Sequence, residues 1–281
     1  MRTILIPTDF SQNAQHAIDY ALNLYKGEKI NVYFIHAYAD EVHGPLIKGN
    51  GESIEAQRKA VKARTDQALE KLTSDVREKT LNPKHSYEWV SAFKSLVNAM
   101  NDFVKERNID LVIMGTQGQS AKKKITFGSH TVQVFKYVQC PVLAIPENYE
   151  FREPKKIVFP TDFLLPYKTR ELKLLNEIIA EYKSEVHCLH ISDFDELSHR
   201  QLNNKQFLRE SLTQAAIVFE TTPVKNKAES ILEYINENEI DLLTMVNSRH
   251  SLFEDMLYRS TIDEIGLHPK VPFLVMQNLS R

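Results

Sequence analysis

An internal repeat constrains the fold of this chain more than any other feature. Three segments occur twice in the same order: residues 3–10 (TILIPTDF) recur as 156–163 (KIVFPTDF), 109–114 (IDLVIM) as 240–245 (IDLLTM), and 140–145 (CPVLAI) as 271–276 (VPFLVM). Self-similarity at this spacing indicates one folding unit present twice. The 281 residues suffice for two domains of ordinary size. We therefore predict domains at residues 1–148 and 154–281, separated by a polar, proline-containing segment.

The two copies differ in length. Pro7 and Pro160 are 153 positions apart, whereas Pro141 and Pro272 are 131 positions apart. The second copy is therefore 22 residues shorter, which is the difference between the two separations. We expect the missing residues to correspond to the polar stretch 38–62, which contains glycines and a proline.

Each copy alternates short apolar runs with helical patterns. In the first copy the predicted strands are 3–8, 29–37, 85–91, 110–114 and 141–145, and the predicted helices are 12–26, 52–80, 94–107 and 129–138. Continuous apolar runs such as 4–6 are typical of strands covered on both faces of a parallel sheet. The pattern predicts an α/β fold with two tandem, doubly wound, five-stranded parallel-sheet domains, whose ligands bind beyond the carboxyl ends of the strands.

Bulk composition excludes several classes of protein. A net charge of −2 gives no general attraction to nucleic acid or anionic membranes. No apolar run approaches the roughly 18 residues of a membrane span, and the chain opens on a strand pattern rather than a secretory signal. Cys140 and Cys188 stand far apart in apolar runs, which is typical of buried free thiols. We expect a cytoplasmic protein that binds neither nucleic acid nor membrane.

A glycine-containing loop follows the predicted fourth strand. Its spacing is G-x2-G-x9-G-S, formed by Gly115, Gly118, Gly128 and Ser129. Glycines accept positive φ and let backbone amides approach an anion, and a helix starting at Ser129 would offer free N–H groups to a phosphate. Three of the chain's eight glycines lie here, which favours an anion-binding loop over a plain connection. The loop lacks the Gly-Lys-Ser/Thr ending of a Walker A loop and the spacing of a dinucleotide fingerprint.

With this loop, the opening 6–11 (IPTDFS) and the closing 140–143 (CPVL), nearly the whole chain resembles the universal stress protein family in its tandem form. The resemblance implies an adenine nucleotide α-hydrolase-like fold and a bound ATP, ADP or AMP, with or without Mg²⁺. It implies the following nucleotide-binding residues: Pro7, Thr8, Asp9, Ala37, Met114, Gly115, Gly118, Gly128, Ser129 and His130. It also implies that the last strands of the two copies pair as an intramolecular pseudo-dimer, while further homo-oligomerisation and a protein partner stay open.

Two of these assignments have structural alternatives. Asp9 either accepts hydrogen bonds from the nucleoside or serves as a turn or N-cap acid after the strand. The run 122–124 (KKK) either supports the outer phosphates or forms a solvated loop.

The second copy has lost the glycine loop. The residues at the positions of Gly115, Gly118 and Gly128 are Val246, Arg249 and Arg259, and only Ser260 keeps the first copy's residue type. Valine would be strained at a position that needs positive φ. The arginines either crowd the groove or pair with another anion. We predict that this copy does not bind ATP.

No catalytic constellation is recognisable in the sequence. His187 and His190 flank Cys188 in a strand pattern, so we expect packing roles for them, with metal binding as the alternative. We therefore predict no catalytic and no metal-binding residues and a non-enzymatic, nucleotide-binding stress-response regulator. A weak ATPase or nucleotidyl transferase of the same fold, and a scaffold with a vestigial pocket, stay open as alternatives.

Overall fold

The computed structural model describes residues 1–43, 53–116, 129–193, 196–223, 227–248, 251–253 and 270–278. Two compact units divide the chain, and the first gives way to the second between Val142 and Leu143. No helix in the described ranges is long and apolar enough to cross a membrane.

The first copy has the alternating strands and helices predicted for it. In chain order its elements are β1 (Arg2–Pro7), α1 (Gln12–Leu24), β2 (Ile30–Ala37), α2 (Ala39–His43), α3 (Ile54–Thr80), β3 (His85–Ala92), α4 (Leu96–Arg107), β4 (Leu111–Gly115), α5 (Ser129–Tyr137) and β5 (Val142–Ile145). The strand order is β3-β2-β1-β4-β5, and β1 pairs in parallel with both β2 and β4. The chain therefore reverses its direction across the sheet at β1 and β4, where a ligand crevice is expected.

The second copy repeats this arrangement, with fewer helices among its described residues. Its elements are β6 (Lys156–Thr161), α6 (Lys173–Tyr182), β7 (Glu185–Ile191), α7 (His199–Ser211), β8 (Ala216–Thr222), α8 (Lys227–Glu237), β9 (Leu242–Asn247) and β10 (Phe273–Gln277). Its strand order is β8-β7-β6-β9-β10, which corresponds position by position to that of the first copy, and its paired strands are parallel. The prediction of two tandem α/β domains is confirmed.

Central strands are buried on both faces, as their continuous apolar runs predicted. Ile4, Leu5 and Ile6 have no exposed surface, and β4 is buried along its whole length. β3 lies at the end of the strand order and is only partly covered, and it carries Trp89, the one tryptophan of the chain.

The aspartate that precedes the fourth strand of each copy forms hydrogen bonds with the backbone near the start of the first strand. Asp110 Oδ2 accepts a hydrogen bond of 2.8 Å from the backbone N–H of Thr3, and Asp241 Oδ2 accepts one of 2.9 Å from that of Lys156. In each case the aspartate N–H returns a hydrogen bond of 2.9 Å to the carbonyl of the same partner. The repeat in the sequence is therefore also a repeat of individual contacts.

The length difference lies between the second and third strands of each copy, as predicted. α3 has 27 residues, whereas α7 has 13. The shortening therefore removes helix as well as the polar stretch. One helix of that stretch, the five-residue α2, was not predicted.

Candidate functional site

The turn after β1 is held by three side-chain hydrogen bonds. Thr8 Oγ1 accepts from the N–H of Phe10 at 3.0 Å, and Asp9 Oδ1 accepts from the N–H of Ser11 at 3.0 Å. Ser11 caps α1 by accepting from the N–H of Ala14 at 3.1 Å. Asp9 thus has the turn role that the sequence allowed for it.

The second copy keeps the same turn. Thr161 Oγ1 accepts from the N–H of Phe163 at 2.9 Å, as Thr8 does from Phe10. Both phenylalanines have positive φ, 62° for Phe10 and 56° for Phe163. Each phenylalanine ring also contacts a histidine at a similar distance. The ring centroids of Phe10 and His36 are 4.9 Å apart, and those of Phe163 and His190 are 5.1 Å apart. A turn that both copies keep is a requirement of the fold and does not by itself mark a ligand site.

Gly115 ends β4 and is required for a reason that the sequence did not reveal. Its φ lies outside the left-handed region, so the prediction that this glycine is needed for positive φ is wrong. A Cβ at this position would lie 2.7 Å from Asn13 Nδ2 and 3.1 Å from the carbonyl oxygen of Asn13. The glycine therefore lets the first turn of α1 lie directly against the end of β4.

A cavity of about 240 Å³ opens at the carboxyl ends of β1, β2 and β4. Seven of the predicted site residues line it: Pro7, Thr8, Asp9, Ala37, Met114, Gly115 and His130. Ser129 is exposed as the first residue of α5, and it is not part of the lining as described. Gly118, Gly128 and 122–124 lie outside the described residues. The predicted residues of four separate segments thus come together at one place.

The cavity also has walls that the sequence reasoning missed. These are formed by Ala14, His36, Asp40, Glu41, Leu96 and Thr131. Thr131 donates a hydrogen bond of 2.9 Å to the carbonyl of Thr116, which ties the start of α5 to the end of β4. Ala14 follows from the Ser11 cap, so its position could have been found from the helix start signal.

A chain of polar contacts links the cavity wall to α3. Nδ1 of the buried His36 lies 2.6 Å from the Thr8 carbonyl oxygen, and its Nε2 lies 2.5 Å from Glu41 Oε1. Arg64 on α3 donates to Glu41 Oε2. His36 therefore fixes the Thr8 turn relative to α2.

In the second copy, the helix that follows the first strand starts late. α6 begins at Lys173, whereas the start of α1 corresponds to residue 165. Tyr167 stands at the position of Ala14, and its hydroxyl lies 2.8 Å from Thr161 Oγ1. The buried ring packs edge-on against Phe159 with centroids 5.4 Å apart. The helical turn that forms one wall of the first cavity is thus replaced by a tyrosine within the core.

Val246 shows why the expected strain in the second copy is absent. It lies in β9, is 4% exposed and has no positive φ, so the prediction of backbone strain at this residue is wrong. The Gly115 position needs a glycine only where a helix start packs against it, and the second copy has Pro166 where Asn13 would stand. Arg249, Arg259 and Ser260 lie outside the described residues.

The other candidate residues of the second copy are buried in its core. His187 Nδ1 lies 2.7 Å from the hydroxyl of Tyr234. Burial lowers the pKa of His190. Cys188, and Cys140 in the first copy, are free thiols, and burial raises the pKa of each to about 12. Among the described residues, no group of three or more His, Cys, Asp or Glu side chains is placed to hold a metal ion.

Comparisons with known proteins agree with this architecture. The model of the universal stress protein family matches residues 1–146 and again 153–277. Universal stress protein MJ0531 of Methanocaldococcus jannaschii is 28% identical over 156 residues, which cover 55% of this chain and 84% of that protein. MJ0577 of the same organism is 27% identical over 154 residues, covering 51% and 94%. A crystal structure of a universal stress protein from Archaeoglobus fulgidus covers 98% of this chain and 96% of its own, with a TM-score of 0.67 at 17% identity, a likeness of fold.

Proposed function

The chain belongs to the universal stress protein family, and on that basis we propose that its N-terminal copy, residues 1–148, binds an adenine nucleotide. We propose further that the protein is a cytoplasmic stress-response regulator without enzymatic activity, in which residues 154–281 form a copy that does not bind ATP. Its two buried free thiols are in keeping with a reducing compartment.

The observation that supports the proposal is the cavity at the carboxyl ends of β1, β2 and β4. It brings residues from the Pro-Thr-Asp turn, the end of β2, the end of β4 and the start of α5 around one space. Pro7, Thr8, Asp9, Ala37 and Met114 would surround the nucleoside. The residues from the glycine loop, Gly115, Gly118, Gly128 and Ser129, would hold the ribose and phosphates, helped by the backbone at His130.

The start of α5 supplies the electrostatics that phosphates require. A helix N-terminus presents unpaired N–H groups and a partial positive charge. Thr131 fixes this start against Thr116, and His130 in the first turn both lines the cavity and is exposed. A phosphate at this place would be held largely by main-chain groups.

The test is titration of the purified chain with ATP, ADP and adenosine by calorimetry. We expect one ATP per chain. His130→Glu should weaken ATP binding by about tenfold, because the added negative charge repels the phosphates. Adenosine has no phosphates, so its binding should change much less. Gln133→Glu adds the same charge one turn later on an exposed position and is the matched control.

The outcomes separate the alternative functions. ADP that accumulates with time in the ATP sample would favour the ATPase. Absence of binding, together with no thermal shift by ATP and Mg²⁺, would leave the scaffold, because a ligand at 100 times its Kd stabilises the folded state by about 2.7 kcal/mol.

A further inference from the structure

The carboxylates that line the cavity differ in how many of their oxygens already have a partner in the protein. Glu41 already contacts His36 through one oxygen and Arg64 through the other. Asp9 uses Oδ1 to hold the turn at Ser11. Asp40 lines the cavity and, within the described residues, has no hydrogen bond or ion pair. Asp40 is therefore the lining carboxylate that is available to a ligand.

The charge distribution of the cavity orients a nucleotide. The start of α5 favours negative charge at one part of the lining, whereas Asp40 and Glu41 disfavour it at another. A nucleotide has its negative charge at one end and a neutral base at the other. The phosphates should therefore lie toward α5 and the base toward α2.

A carboxylate beside a base selects the base by its hydrogen-bonding groups. An ionised carboxylate can only accept hydrogen bonds. A 6-amino purine offers a donor to it, whereas a 6-oxo purine would place a second acceptor against it. Hydrogen bonds to charged groups discriminate more strongly than neutral ones.

We propose that Asp40 determines the base specificity of the N-terminal site by accepting a hydrogen bond from the exocyclic amino group of the bound purine. The inference rests on the proposed function, since it names the residue that reads the base in the same cavity. It assigns to α2, which has no counterpart described in the second copy, a role in ligand choice.

The experiment compares ATP, inosine triphosphate and 2′-deoxy-ATP on the full chain, for the wild type, Asp40→Asn and Asp75→Asn. The wild type should bind ATP more tightly than inosine triphosphate. In Asp40→Asn this preference should fall by about fivefold, because the amide can donate to a 6-oxo group as well as accept from an amino group. Asp75→Asn removes an exposed charge on α3 and should leave the preference unchanged.

The outcomes distinguish failure of the role of Asp40 from failure of the proposed function. An unchanged ratio of ATP to inosine triphosphate affinity in Asp40→Asn would overturn the role of Asp40 and leave nucleotide binding standing. If Asp40→Asn changed only the ratio of ATP to 2′-deoxy-ATP affinity, the carboxylate would contact the ribose. That result would also overturn the role of Asp40 in base choice. A wild type that binds none of the three nucleotides would refute the proposed function and the role of Asp40 with it. Circular dichroism of Asp40→Asn checks that the variant is folded.

Discussion

The two copies share a strand order and a Thr-Asp-Phe turn, yet they differ in what surrounds that turn. In the first copy α1 starts directly after it and packs against Gly115, and a cavity opens beside both. In the second copy Tyr167 and Val246 take the positions of Ala14 and Gly115. The comparison teaches that the helix start and the glycine are a matched pair, and that the second copy has changed both together.

The copies also differ in the segment between their second and third strands. The longer segment of the first copy contains α2 and the first half of α3, which pack through a small cluster formed by Tyr38, Val42 and Val61 with Phe93. Arg58 lies over the ring of Phe93, 4.3 Å from its centroid. This cluster supports the helix that contributes Asp40 and Glu41 to the cavity. Between β7 and α7, the described residues include no counterpart of that helix.

The largest expected effect comes from removing the tyrosine that distinguishes the second copy. Tyr167→Ala should destabilise the chain by about 3–5 kcal/mol, the cost of deleting a buried aromatic ring. Tyr167→Phe keeps the ring, loses the contact with Thr161 and should cost about 1 kcal/mol. Urea denaturation followed by circular dichroism measures both. If the alanine variant cost no more than the phenylalanine variant, Tyr167 would not fill the core as described.

The next prediction transfers the valine of the second copy into the first. Gly115→Val should cost about 1–3 kcal/mol and weaken ATP binding, because its Cβ would overlap Asn13. Part of that overlap is with the Asn13 side chain, so Asn13→Ala should relieve some of the cost when combined with Gly115→Val. Thermal denaturation of the two single variants and the double variant gives the coupling. Strictly additive effects would show that the glycine and the helix start are not a matched pair.

The smallest effect concerns Glu171, a buried carboxylate at the position of Ile18. Its Oε2 accepts a hydrogen bond of 3.1 Å from the N–H of Lys168. Burial raises the pKa of Glu171, so the folded chain binds this proton more tightly than the unfolded chain. Stability from this group is therefore greatest below the unfolded pKa and falls as pH rises through the folded pKa.

Glu171→Gln keeps an acceptor for Lys168 and removes the buried charge. It should raise Tm at neutral pH and have little effect under acidic conditions, where the carboxyl is protonated. Glu177→Gln, which changes a half-buried carboxylate on α6, is the control. Stabilisation by Glu171→Gln that did not diminish at low pH would contradict the assignment.

The sequence predicted the fold closely because its signals are local. Continuous apolar runs located the central strands to within one or two residues, and the predicted helix 12–26 begins where α1 does. The five-residue α2 was missed because so short a helix has almost no periodic pattern. Its carboxylates therefore could not be assigned to the site.

The parts of the site that were misjudged depend on contacts between distant segments. A glycine at the end of a strand suggests positive φ, and only the approach of Asn13 reveals the real requirement at Gly115. Likewise nothing near Tyr167 in the sequence indicates that its hydroxyl reaches Thr161. Seven of the ten predicted site residues nevertheless line one cavity, because the carboxyl ends of parallel strands share one edge of the sheet.

Trp89 has a practical consequence for studying the two halves of the chain. As the sole indole in the polypeptide, this half-buried residue on β3 belongs entirely to the N-terminal half. Intrinsic fluorescence excited at the red edge of protein absorption therefore follows that half alone, without any added label. The chain thus contains a built-in optical probe of its N-terminal half, because the C-terminal half has tyrosines but no tryptophan.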